Sequence, residues 1–369
     1  MADLNITAVD LAAVPINGQI NEELMQAIFD VSPIDRPFCD AIGSTDSGNT
    51  YREWVREALE ASNADNARVD GSSSAGIDDG VLGERLGNYH QIGSKTIRVS
   101  DRGRESNTVG QSGDELIRQM MKRQKALRRD EEAALTSKNI AVPGDGDTVA
   151  GKVAGVGGWI GVKVKDVAST TSVRGSGGAD PVLTGDSSGG GGYPTTIATA
   201  GTKAALSEAN IKDMMRAAYE NGGNPTMAMS TPACIEVLSD YLFTSSARVA
   251  TLQSDAAQGN RTDNGTGGGQ SGGGIVAQGS VNILVTNFGT LELIPNRFQP
   301  EVAAGVSDLY LIDPESWERS YLQGYETNEL ARDGLAENRE ITVDFSLCAL
   351  NPEANAIVAD VDTAIAATV

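Results

Sequence analysis

Apolar positions recur most insistently between Ser112 and Leu135, SGDELIRQMMKRQKALRRDEEAAL. Leu116, Ile117, Met120, Met121, Leu127, Ala134 and Leu135 fall at helical spacing, which predicts one apolar stripe on an otherwise charged helix. Beyond Gly113 neither Gly nor Pro interrupts the run, and its residues are mostly strong helix formers. Ser112 with Glu115 three residues on is a capping-box pattern. At about 1.5 Å per residue the rod would reach about 35 Å. Met120, Leu127 and Leu135 are its candidate core contacts.

Around this helix the pattern is mixed. Asn21 to Asp30, NEELMQAIFD, predicts a short helix capped by Asn21, stopped by Pro33 and Pro37. YREWVREAL, from Tyr51, and RLGNYHQIGSKTIRVSD, from Arg85 to Asp101, are strand-like, the second through Ile92, Ile97 and Val99. Between them Ser62 to Glu84 is too polar to pack, so the pair predicts a hairpin carried on a long excursion. Val142 to Gly201, with glycines at 189–192, is expected to be a loop-rich surface insertion. Order returns in a second helix capped by Ser207, stapled by Leu206 and Ile211, and stopped at Asn221-Gly222-Gly223. Thr226 to Met229 is a short strand, and Pro232 opens a third helix. After a polar gap from Ser254 to Gly274 come VNILVTNF, TLELIPN, DLYLID and ITVDFSLCAL; Val281, Ile283 and Val285 alternate as the buried face of a strand should. Helices and strands cluster rather than alternate, so the fold class is α+β.

Composition narrows the chemistry. The 369 residues include only 5% aromatics and 43 glycines, which implies a thin core helped by neighbouring subunits. A net charge of −21 argues against a dedicated nucleic-acid-binding protein. Cys39, Cys234 and Cys348 form no C-x-x-C pair and are expected to be reduced, buried thiols. No apolar run suits a membrane span. The single histidine, His90, cannot build a multi-histidine zinc site, and a Ser-His-Asp triad would have to use it, so it is expected to be a surface or packing residue. Asp145-Gly146-Asp147 starts like a calcium loop but lacks the later ligands and is taken as a solvated loop. The glycine runs lack the P-loop pattern. No catalytic constellation, metal site or cofactor site is expected. The basic cluster Arg118, Lys122, Arg123, Lys125, Arg128 and Arg129 could meet enclosed nucleic acid; pairing with Asp114, Glu115 and Glu131, or with acidic neighbours, is the favoured reading.

The series NEELMQAIFDVSPIDRPFCDAIG, NTYREWVREAL, RLGNYHQIGSKTIRVSD, LRRDEEAAL, GVGGWI, ENGGNPTMAMSTPACIEVL, NFGTLELIPNRF and LYLIDPESW resembles, in content and order, the major capsid proteins of tailed bacteriophages with the Hong Kong 97-type fold. Arg36, where Thr is expected, and Arg332-Asp333-Gly334, where a Lys-x-Gly-Asp-like turn is usual, depart from that pattern. The resemblance implies an N-terminal arm (1–47), an extended loop hairpin (48–104), a peripheral domain with a long spine helix (105–142), an axial domain with the loop-rich insertion (143–300), and returning strands with a C-terminal tail (301–369). It further implies a non-enzymatic shell protein of the virion, made and assembled in the bacterial cytoplasm and enclosing double-stranded DNA contacted non-specifically at most. Its expected partners are itself, in hexamers and pentamers, with separate scaffold, portal and decoration proteins, and no membrane. An encapsulin-like nanocompartment shell is the alternative. Tyr51, Trp54, Val69, Ile77 and Val81 are then the candidate inter-subunit contacts, and 62–84 is expected to be ordered by a neighbouring copy. Lys95, the one lysine of the excursion, lies in the return strand, so no covalent cross-link is expected.

Overall fold

The computed structural model describes residues 32–59, 62–73, 83–106, 114–162, 170–184, 192–244, 283–332 and 334–367. The expected arm helix at 21–30 therefore lies outside the described residues, as do Ser112, Ile77 and Val81. In chain order the elements are α1 (Pro37–Ala41), β1 (Gly43–Asp46), β2 (Tyr51–Arg56), β3 (Glu84–Tyr89), β4 (Gln91–Ser100), α2 (Asp101–Glu105), α3 (Glu115–Leu135) and α4 (Val156–Trp159). Then follow β5 (Ser172–Val173), β6 (Val182–Leu183), β7 (Pro194–Thr196), α5 (Glu208–Glu220), β8 (Met227–Ser230) and α6 (Pro232–Thr244). The last are β9 (Ile283–Thr286), β10 (Gly289–Pro295), β11 (Val306–Ile312), β12 (Trp317–Leu330), β13 (Ala336–Ala349) and β14 (Ala356–Asp362).

The chain divides into two compact units. The smaller comprises 1–34, 95–125 and 327–341. Its described core is Ile97, Val99, Leu116, Ala336 and Ile341. Ion pairs ring that core: Arg104 with both Asp114 and Glu337, Arg332 with Asp101 at 2.7 Å, and Arg339 with Glu329 at 3.2 Å. Here the expected capping is corrected. Asp114 takes the cap position, its Oδ1 accepting from the Leu116 N–H at 3.0 Å, while Glu115 is turned to Arg118 and Gln119. Ile117 and Met121, expected on the apolar stripe, are more than half exposed; Met120 is half-buried.

The larger unit comprises 35–94, 126–326 and 342–369. Its centre is a six-stranded sheet in the order β5-β14-β11-β8-β10-β9. Every residue of β8, β11 and β14 is buried, so the middle of the sheet is covered on both faces. Leu206, Ile211, Met214, Met215 and Ala218 of the α5 region and Cys234 and Leu238 of α6 pack in one cluster with Leu291, Leu309 and Val358. The staple pair Leu206 and Ile211 is buried as the pattern requires, whereas the Ser207 hydroxyl makes no capping bond. Gly222 stops α5 in the left-handed region (φ 83°), and the Gly223 N–H reaches back to the Ala218 carbonyl at 2.9 Å. Strand β14, which the sequence pattern did not mark, lies inside the sheet between β5 and β11.

Two further expectations are overturned in this unit. The alternation in β9 is real, but its faces are exchanged: Ile283 and Val285 are 55% and 71% exposed, and Leu284 packs on the core. A period of two marks two faces without saying which meets the core. The stretch around GVGGWI is no surface insertion, because Val153, Ala154, Val156, Trp159 and Ile160 are fully buried. Its glycines are packing positions: a Cβ on Gly155 would collide with the backbone carbonyls of Ala134, Leu135 and Ser137 at the end of α3. The Gly155 and Gly157 N–H groups donate to the Asn139 and Ser137 carbonyls at 3.1 Å each.

Candidate functional site

Two features of the described residues stand out, the β2–β3 hairpin and the buried end of α3. The hairpin is its own antiparallel sheet, pairing Tyr51 with Tyr89, Trp54 with Leu86 and Arg56 with Glu84. Aromatic and amide side chains fix its base. The Tyr51 and Tyr89 rings lie 4.6 Å apart, and both approach Tyr193. Trp54 lies 5.6 Å from Trp159 and donates through Nε1 to the Ala349 carbonyl at 3.0 Å. Asn88, fully buried, donates to the carbonyls of Ala154 (3.1 Å) and Leu347 (2.8 Å) and accepts from the Ala154 N–H (3.0 Å). Position 87 must be glycine, because the Tyr51 phenol occupies the space a Cβ would need. Burial, then the Glu53 carboxylate, pushes that phenol up to about 12, so it stays protonated.

Further along the limb Val55 is 62%, Leu59 97% and Val69 79% exposed. Of the candidate contacts, Tyr51 and Trp54 are half-buried and engaged within the chain, and Val69 is open. Sequence reasoning did not place Val55 and Leu59 among the contacts, although both sit in the strand-like run.

The C-terminal half of α3 carries the least expected chemistry. Leu127 and Leu135 are buried as predicted, with Gly93 close against Leu127 and Val343. Glu131, expected to pair with the basic cluster, and Glu132, which the pattern did not single out, are buried between them in sequence. Glu132 accepts from the N–H groups of Phe38 (3.0 Å) and Cys39 (2.9 Å) and from Asn296 Nδ2 (2.7 Å), so it holds the start of α1. Glu131 accepts from the hydroxyls of Tyr321 and Tyr325 and faces Arg36 Nη1 at 3.4 Å. Arg36, one of the two departures from the expected pattern, thus serves a buried acid. Burial, then Glu132 and Glu131, pushes the Cys39 thiol well above its ordinary range, so it is unreactive.

These partners also correct the expected pairing of the basic cluster. Glu131 pairs with Arg36 and Asp114 with Arg104, both outside the cluster, while Arg118 keeps its helical partner, Glu115. Arg128 and Arg129 instead lie over the rings of Tyr325 (5.3 Å) and Phe298 (4.8 Å). Asp145, as expected of an Asx-type turn, accepts from the Thr148 hydroxyl and from three backbone N–H groups, which hold its carboxyl well below the usual carboxylate range. No group of three or more His, Cys, Asp or Glu residues suited to a metal occurs among the described residues. No helix among them is long and apolar enough to cross a membrane.

A hairpin, a long helix and a six-stranded sheet in this order are the parts of a Hong Kong 97-type fold. The fold matches a cyanophage A-1(L) capsid subunit over 93% of this chain and 98% of that one (TM-score 0.54, 10% identity). It also matches the holo-SrpI encapsulin complex of Synechococcus elongatus over 99% of both chains (TM-score 0.51, 10% identity). The chain belongs to the SU10 major capsid protein family, whose profile matches residues 6–362. The major capsid protein of Escherichia phage Phieco32 is 26% identical over 350 residues, covering 89% of this chain and 90% of that protein. Its role is therefore that of a phage major capsid protein, a structural, shell-forming one; the encapsulin likeness is one of fold alone.

Proposed function

We propose that copies of this chain close into an icosahedral shell of hexamers and pentamers around a double-stranded DNA genome, with the hairpin at 48–104 lying over a neighbouring copy. The observation that supports this is the contrast within the hairpin: a base locked by Trp54, Asn88 and the tyrosines, and open side chains at Val55, Leu59 and Val69. Apolar groups strung along an anchored limb gain most when another subunit covers them. In this reading 1–47 is an arm, 105–142 the spine of a peripheral domain, 143–300 the axial domain, and 301–369 the strands that return between them. Separate scaffold, portal and decoration proteins are the further partners, and assembly takes place in the host cytoplasm. The chain has no catalytic role, and its net charge of −21 keeps any contact with DNA non-specific.

Replacing 62–84 by a short Gly-Ser turn tests the proposal. The expected product is a folded subunit that sediments as monomer or capsomer. Full-size closed shells of that variant under the electron microscope would overturn it.

A further inference from the structure

His90 stands at the one-residue break between β3 and β4, where its N–H donates to the Thr50 carbonyl at 3.0 Å. Its side chain is only 2% exposed, yet neither ring nitrogen has a hydrogen-bond partner. Nδ1 lies 3.3 Å from Asp344 Oδ1, which is itself buried and without a hydrogen bond. Both side chains line a cavity of about 570 Å³, a volume ordinary for a small-ligand site. The other walls are Thr50, Tyr89, Ile92 and the turn from Gly144 to Gly151, with Val149 and Ala150 apolar and Asp147 exposed.

We propose that this cavity binds an organic cation, an ammonium or guanidinium group carried on a short aliphatic stem. Asp344 supplies the counter-charge, a His90 nitrogen supplies a second acceptor, and Ile92, Val149 and Ala150 sheathe the stem. Burial lowers the proton affinity of His90 more than Asp344 raises it, so the ring favours its neutral form, which has a nitrogen that can accept. Arg52, the cation facing the ring, shares a hydrogen bond with Cys348, and its Nε is buried without an acceptor. The two remaining charged groups of the site, Asp344 and Asp147, are both acidic. The same chemistry can come from a free diamine or from a Lys or Arg side chain of a second copy.

His90 is the only histidine, so one imidazole resonance reports the site. Full-length subunits and assembled shells are titrated with agmatine, with 1-butanol as the uncharged control. The expected result is a saturable shift of the His90 resonance in subunits, absent with butanol. Asp344→Asn should bind about tenfold more weakly, as befits a lost hydrogen bond to a charged group. Asp147→Asn, at the exposed mouth, should weaken binding less, and it keeps the test open if the Asp344 variant fails to fold. Agmatine that also binds in shells identifies a free cation. Shells that exclude it, with the resonance already at its bound position, identify a neighbour's side chain. No saturable shift in subunits, or equal binding by the parent and both variants, overturns the proposal.

Discussion

Replacing Glu132 by Leu should loosen the start of α1 and lower the stability of the isolated subunit substantially. The carboxylate is fully buried and accepts from three donors: Phe38 N at 3.0 Å, Cys39 N at 2.9 Å and Asn296 Nδ2 at 2.7 Å. Phe38, Cys39 and Asn296 are themselves fully buried, so water cannot replace the acceptor without opening the site. Each stranded donor costs about 1–3 kcal/mol, and with some relaxation the sum is about 3–5 kcal/mol. Gln, which keeps one acceptor oxygen but turns an N–H toward a donor, should cost about 2 kcal/mol. Phe38 packs edge-on to Trp317 at 6.0 Å, so tryptophan fluorescence follows the region directly. Urea titrations should show the order parent, Gln, Leu in falling midpoint, with faster exchange of the Phe38 and Cys39 amides. A Leu variant within about 0.5 kcal/mol of the parent, the range of ordinary surface substitutions, would refute the assignment of Glu132 as the holder of α1.

Leu127→Asp should give insoluble or unfolded chain, because Leu127 is 2% exposed and an unpaired buried charge costs several kcal/mol; a normal circular dichroism spectrum and normal shells would contradict it. His90 binds its proton less readily when folded than its ordinary value of 6.5, through burial and Arg52 against the opposing pull of Asp344. The unfolded chain therefore takes up the proton first, so the contribution of His90 to stability is fully present above about pH 6.5 and is lost as pH falls below it. His90→Gln should flatten that part of a melting-temperature profile, and an unchanged slope would assign it to other groups. Charge reversal at Arg123 and Arg128 should leave the DNA content of particles unaltered; a marked loss with shells still forming would place this helix face against the genome.

The local pattern was enough to find α3, α5, α6 and most strands, because periodicity, caps and glycine stops act within a few residues of one another. Leu127 and Leu135 were legible for that reason, and so was the hairpin, whose two strand-like runs flank a stretch too polar to fold alone. What the local pattern left open is which face an element buries and what it meets there. The alternation of β9 was plain, but Leu284 rather than Ile283 and Val285 turned out to face the core. Ile117 and Met121 belong to the helical stripe and are nonetheless exposed. Glu131 and Glu132 look like any charged pair near a helix end until Arg36, Phe38, Cys39, Asn296, Tyr321 and Tyr325 are brought around them from 93 to 194 residues away. A carboxylate can be buried only where donors converge on it, and that convergence belongs to tertiary structure alone. Gly155 and Gly158 illustrate the same point: read singly they signal a loop, but against the backbone at the end of α3 and just beyond it a Cβ at either position would collide with carbonyl oxygens.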